Sequence, residues 1–136
     1  MGVFRLKPFG PGLHGLDPDA ATQPKELEEG SPVPDERASN ASETPTGVGS
    51  ITSGTWAASA HVCKMAPYLI SEFRLILKGT VIIKTEDMTT LVFNAGDAFF
   101  IELGTVLSWR QPGVVRKYYV IHSESDPPQE PITSRL

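Results

Sequence analysis

From Gly47 onward the chain alternates apolar and polar residues in short runs. Turn-forming residues separate the runs, which is the period-two signature of half-buried strands. The pattern predicts strands near 50–57, 59–65, 72–77, 80–85, 89–93, 98–102, 105–110 and 114–122. The intervening turns fall at Glu86-Asp87-Met88, Asn94-Ala95-Gly96-Asp97, Leu103-Gly104 and Gln111-Pro112-Gly113. All but Met88 are turn-prone. No helical periodicity of useful length lies beyond position 47. Short strands at such close spacing predict an all-β sandwich or barrel.

The first part of the chain reads differently. Residues 8 to 46 are rich in Pro, Gly, Asp, Glu, Ser and Ala, with few β-branched or aromatic residues. Such a composition buries too little apolar surface to offset its own ordering entropy. Residues 1–46 are therefore expected to form an irregular arm that wraps the surface or stays mobile. Two local elements stand out within it. Thr22, Pro24 and Gly30 have the spacing of a short helix with cap, first turn and stop. Val3-Phe4-Arg5-Leu6 alternates and predicts a strand near 3–7, paired with a sheet edge or swapped onto a second subunit. The arm has three open roles: lid, swapped element or disordered tail. The barrel is placed at 47–124 and a C-terminal tail at 125–136.

Charge and cysteine content narrow the function classes. The net charge of −4 is weakly acidic. Nucleic acid calls for a basic footprint, and so does an anionic membrane surface. No apolar run reaches the ~18 residues of a membrane span. Met1 to Pro8 lacks the long apolar core of a secretory signal. The single cysteine, Cys63, excludes an intrachain disulfide and fits a reducing compartment. The expectation is a cytoplasmic protein with a small-molecule substrate, without nucleic-acid or membrane partners.

The stretch Glu72-Phe73-Arg74-Leu75-Ile76-Leu77-Lys78-Gly79, followed by Ala95-Gly96-Asp97-Ala98-Phe99-Phe100-Ile101, resembles the cupin signature. With Gly54-Thr55-Trp56, Pro67-Tyr68, Ser108-Trp109 and Val114 to Ile121, residues 50 to 122 are similar to the third cupin subfamily. That subfamily holds the ureidoglycine aminohydrolase cupin domain and the ethanolamine-utilisation Q proteins. The resemblance implies a small jelly-roll-like cupin β-barrel with one central pocket. It also implies where metal ligands would stand, and here the chain departs. The early histidine pair falls on Met65 and Pro67, or on Ala66 and Tyr68, and the late one falls on Leu107. Only Glu72 remains. One carboxylate does not supply the three or four converging donors that a first-row metal needs. No metal site and no cofactor are expected.

Strand parity then selects the pocket residues. With Glu72 inward, Arg74 and Ile76 follow it, and Phe73, Leu75 and Leu77 face out. Those outward apolar residues predict a homodimer. A buried Arg74 needs a charge partner, and Glu72 is the nearest. The pair either plugs a vacated metal site or anchors a substrate anion, with Glu72 as acid or base. His61, Cys63 and Met65 share a parity upstream. His61 is a candidate proton carrier or a partly exposed surface residue, and Cys63 reads as a small buried apolar residue. On the last strand, Val115, Lys117, Tyr119 and Ile121 share one face, while Arg116, Tyr118, Val120 and His122 share the other. The resemblance favours Lys117 and Tyr119. A buried Lys117 is either a base or Schiff-base former, or a structural bridge to Glu72. Candidate catalytic residues are thus Glu72, Arg74, Lys117 and His61. Candidate substrate-binding residues are Tyr68, Trp109, Tyr119, Met65, Ile76 and Leu107.

Three readings of function follow. The first is a metal-independent enzyme doing proton-transfer chemistry as an isomerase, cyclase, dehydratase or decarboxylase on a small organic metabolite. The second is a binding protein without turnover. The third is a metal-dependent hydrolase like the ureidoglycine member, against which the missing histidines count.

Overall fold

The computed structural model describes residues 2–6, 13, 15–19 and 21–124. Among them ten strands form two antiparallel sheets. They are β1 (Asp17–Asp19), β2 (Glu36–Pro45), β3 (Gly49–Ala58), β4 (His61–Pro67) and β5 (Ser71–Lys78). The rest are β6 (Thr80–Thr85), β7 (Thr90–Asn94), β8 (Ala98–Ile101), β9 (Val106–Gln111) and β10 (Val115–Glu124). One sheet runs β1-β2-β3-β10-β5-β8 and the other β4-β9-β6-β7. Two facing sheets with crossing connections make an all-β barrel, as the strand pattern predicts and as the cupin resemblance implies. Among the described residues no helix is long and apolar enough to cross a membrane.

The barrel strands fall where the alternation puts them. On β5, Glu72, Arg74 and Ile76 are buried, Phe73 is exposed, and Leu75 and Leu77 are half-buried. Along the outer face, Phe73 lies between Phe100 of β8 and Val120 of β10, and all three are exposed. The inner faces of both sheets meet in one apolar core that includes Trp56, Ile70, Ile76, Val81, Ile83, Leu107, Trp109, Tyr119 and Ile121. Turn chemistry fixes the registers. Gly79 joins β5 to β6 at φ +91°, and a Cβ there would collide with the Val114 carbonyl, so only glycine fits. Met88 also adopts a positive φ, 69°, beside Asp87, whose carboxylate accepts bonds from the Thr85 hydroxyl and the Thr89 N–H.

The arm departs from expectation. Residues 36–45 form the ten-residue strand β2, paired with β3 from Glu36↔Ala58 to Pro45↔Ser50. Its side chains are too polar to announce a strand. The backbone ladder and a tight turn, where the Thr46 N–H donates to the Gly49 carbonyl at 3.0 Å, supply what the side chains do not. The helical signal shrinks to one 3₁₀ turn, Pro24–Glu26, capped by Gln23 rather than Thr22. Residues 3–6 form no strand with other described residues, and Lys7 lies outside the described residues, as does the tail from 125.

At Gly54 the strands β2, β3 and β10 pack closely. A Cβ at Gly54 would strike both the Ser39 carbonyl oxygen and the Tyr119 hydroxyl. Gly54→Ala is expected to cost about 1–3 kcal/mol, the usual penalty for overpacking a filled core. Urea unfolding measures it. A variant as stable as the parent would show that β2 does not pack on the barrel as described.

Candidate active site

The site is built on β5. Glu72 and Arg74 stand two residues apart and so project on the same, inner face. Glu72 is fully buried, and three donors reach its carboxylate. Oε1 accepts the Tyr68 hydroxyl at 2.8 Å and Arg74 Nη2 at 2.6 Å, and Oε2 accepts Lys117 Nζ at 3.1 Å. Tyr68 comes from the β4–β5 loop. Its backbone is pinned to the β8–β9 loop by Tyr68 N–H to Thr105 O and Gly104 N–H to Tyr68 O, both 2.8 Å. Lys117 comes from β10, next to a register shift at Arg116/Lys117 that leaves these consecutive residues both buried.

Two tryptophans wall the cluster. The Arg74 guanidinium carbon lies 4.2 Å from the centre of the Trp109 ring, and Lys117 Nζ lies 4.6 Å from that of Trp56. The rings meet edge to face at 6.5 Å. Each indole N–H is anchored: Trp109 donates to Gln111 Oε1 at 2.9 Å and Trp56 to Glu36 Oε2 at 3.1 Å. Gln111 in turn donates to the Ala58 carbonyl at 3.0 Å. Cation–π contact in a desolvated site is worth about 2 kcal/mol, so the walls help hold the two cations where the sequence puts them.

Beside the cluster lies a cavity of about 10 Å³ lined by Thr22, Trp56, His61, Cys63, Tyr68, Arg74 and Trp109. That is room for roughly one water molecule. Thr22 belongs to the arm, and its N–H donates to Glu36 Oε1 at 2.8 Å. The arm then continues over β4, where the Glu28 N–H donates to the Val62 carbonyl and the Val62 N–H to Ser31 Oγ. The arm segment therefore covers one side of the chamber.

Burial dominates the electrostatics. It pushes the Glu72 carboxyl up to about 7, against the pull of the Lys117 charge and its hydrogen bond. It pulls the Lys117 ammonium down to about 7, with Arg74 adding and Glu72 and Glu36 opposing. The two titrate as a coupled pair in one pH range. His61 is buried rather than a surface residue. Its Nδ1–H donates to the Ser59 carbonyl at 2.9 Å, and burial lowers its pKa, so it is neutral at pH 7 with Nε2 as acceptor.

Of the residues singled out from the sequence, Glu72, Arg74, Lys117, Tyr68, Trp109 and His61 converge on this site. Four do not. Met65 is exposed because a register shift between Cys63 and Ala66 reverses the parity of β4. The Tyr119 hydroxyl bonds to Asn40 of β2 instead of facing the cavity. Burial first, then Asp19 and Glu72, push its pKa above the ordinary phenol value, so it stays protonated. Ile76 belongs to the core, and Leu107 faces a separate apolar chamber. Sequence reasoning missed Glu36, Thr22, Gln111 and Trp56 as parts of the site. Glu36 carried no signal, being one acid among several in a polar segment. Trp56 and Gln111 lie on strands whose parity could have flagged them.

The donor set does not fit a divalent metal. Glu72 already bonds two cationic side chains, and the expected histidine positions carry Met65, Ala66, Pro67, Tyr68 and Leu107. Among the described residues no three His, Cys, Asp or Glu side chains converge.

A family model described as the EutQ-like cupin domain matches residues 46–119. A Pseudomonas syringae pv. tomato protein of unknown function from the DUF861 family superposes with TM-score 0.75 at 26% identity, over 85% of this chain. The chain spans about half of that protein, 46% of its length. The Clostridium difficile EutQ protein superposes with TM-score 0.53 at 16% identity, over 71% of this chain and 75% of that one. A candidate ethanolamine utilization protein Q of Salmonella typhimurium gives 0.55 at 20%, over 67% and 72%. At these identities the two show the fold alone. No curated protein matches the chain.

The buried pair has a signature in stability. Folding raises the Glu72 pKa from 4.5 to about 7, so its contribution is present below 4.5 and lost as pH rises through 7. Folding lowers the Lys117 pKa from 10.5 to about 7, so its contribution is present above 10.5 and lost as pH falls through 7. Together they place a stability minimum near pH 7. Urea midpoints of the parent at pH 5, 7 and 9.5 should dip at 7, and the dip should vanish in Glu72→Gln/Lys117→Met. A parent without the dip would contradict these directions.

Proposed function

The chain belongs to the EutQ-like cupin family, and from that premise we propose that it is a metal-independent cupin enzyme that moves a proton on a small organic anion. The observation that carries the reading is one buried carboxylate bonded to a phenol, a guanidinium and an amine. Glu72 and Lys117 both titrate near 7, so either can take a proton at neutral pH at little cost. Arg74 keeps its charge at any working pH and lines the cavity. It is the group that receives developing negative charge.

The step is an enolisation. The neutral Lys117 amine, backed by Glu72, takes a proton from the carbon next to a substrate carbonyl. The C–H pair moves to form the C=C bond of an enolate, and the carbonyl oxygen takes the negative charge beside Arg74. Lys117 then returns the proton to the same carbon or to another one, which is exchange or isomerisation. Water exclusion strengthens the oxyanion contact, because the guanidinium is fixed and nothing must reorient as charge develops. The Tyr68 hydroxyl and the His61 imidazole are the further groups able to carry a proton.

The test is deuterium incorporation from D2O into a panel of small 2-oxo and 3-oxo acids, followed by NMR. The parent should accelerate exchange on at least one acid by about 10²-fold or more over buffer, and Glu72→Gln and Lys117→Met should each remove that acceleration. A folded parent that binds these acids without exchanging any would favour a binding protein without turnover and end the enzymatic reading.

A further inference from the structure

A second chamber lies on the other side of one aromatic ring from the charged cluster. Its volume is about 150 Å³, and its apolar walls are Ile83, Leu91, Phe93, Phe99, Ile101 and Leu107. It occupies the gap where β7, the last strand of one sheet, faces β8, the last strand of the other. Exposed Leu91 and Phe100 mark its mouth, and Glu102 stands among the residues around it. Phe99 is shared. On one side its ring stacks on Phe93 at 4.0 Å and 16°. On the other it lies 5.8 Å from the Arg74 guanidinium carbon and 6.4 Å from the Trp109 ring.

The two chambers have complementary contents. The polar one has room for about one water, whereas the apolar one is over ten times larger. A pocket of about 150 Å³ walled mainly by Leu, Ile and Phe, with Thr85, Glu102 and Thr105 as its polar lining, is large enough for a benzene-sized molecule. The size difference decides which part of a ligand goes where. As it stands the polar cavity admits about one water, so a compact polar head reaches Arg74 only once the Phe99 ring moves aside, and only the larger chamber fits a ring. The Glu102 carboxylate near the mouth disfavours an anionic head at the outer end, so the head points inward.

We propose that this chamber is the substrate's apolar subsite, and that the substrate is a compact acid carrying one ring or a branched hydrocarbon of similar size. Phe99 is the partition, and its rotation away from Phe93 joins the chambers so that head and ring are held at once. The proposal rests on the proton-transfer reading for the head, while the ring site stands on its own geometry.

Three fluorinated probes separate the two parts by ¹⁹F NMR: fluorobenzene for the ring site, fluoroacetate for the head site and 4-fluorobenzoate for both. Fluorobenzene should bind the parent, and 4-fluorobenzoate should bind at least tenfold tighter than either probe alone. Leu91→Asp should weaken fluorobenzene at least tenfold by placing a charge in the wall. Leu91→Trp should do so by filling the space, with the unfolding midpoint confirming that each variant is folded. A parent that ignores fluorobenzene overturns the ring site while leaving the proton-transfer reading intact. Fluorobenzene binding without any gain for 4-fluorobenzoate overturns the joined substrate. Loss of deuterium exchange alone, with fluorobenzene still bound, supports the ring site and removes only the head chemistry.

Discussion

Glu72 is the group on which the rest of the site depends. A carboxylate removed from water costs several kcal/mol unless its lone pairs are met by donors. Here three donors meet it, two of them cationic, and none is replaced by solvent. That arrangement holds Arg74 and Lys117 inside a barrel that would otherwise expel them. It also carries a conflict. Two cations face one carboxylate, and Glu36 contributes to the balance only from the far edge of Trp56. Arginine does not give up its proton, so burial and the Arg74 charge together bear on the lysine, while burial alone pushes the carboxyl up against its cationic neighbours. A group forced to titrate near neutrality is what proton transfer needs.

The surrounding fold serves that cluster layer by layer. Tryptophan faces receive the cations, and Gln111 and Glu36 fix the tryptophans by their indole N–H groups. Gln111 also ties the β3–β4 turn through the Ala58 and Ser59 carbonyls. The arm adds the outer layer, with β2 bringing Glu36 to the chamber and the following backbone laid over β4. Phe99 lines the apolar chamber, stacked on Phe93 at 4.0 Å, with its ring 5.8 Å from the Arg74 guanidinium carbon. Because each layer rests on the one inside it, removal of Glu72 would be felt well beyond its own three bonds.

Much of this was legible in the sequence because a strand has only two faces. Placing Glu72 inward was enough to place Arg74 and Ile76 with it, and Phe73 outside. The failures share one cause as well. Parity arguments break at a bulge, where an extra residue reverses the faces. Met65 lies within the shift in β4, between Cys63 and Ala66, and the shift in β10 buries Arg116 and Lys117 together. β2 escaped notice because its pairing is a matter of backbone hydrogen bonds, which leave no trace in side-chain composition. Glu36 was invisible for the same reason: its role comes from the strand that carries it. The projected metal positions came from the cupin resemblance, and ligand chemistry requires residue types that Met65, Pro67 and Leu107 are not.

The proposed chemistry turns on the protonation state of one buried amine, Lys117. Lysine labelled with ¹³C at Cε reports each ammonium's titration by NMR, and Lys117→Met identifies the signal of Lys117. That signal should titrate with a midpoint near 7, coupled to Glu72. A Lys117 signal that stays protonated through pH 10 would mean a permanent ion pair, and the chamber would then be a structural plug rather than a site of proton transfer.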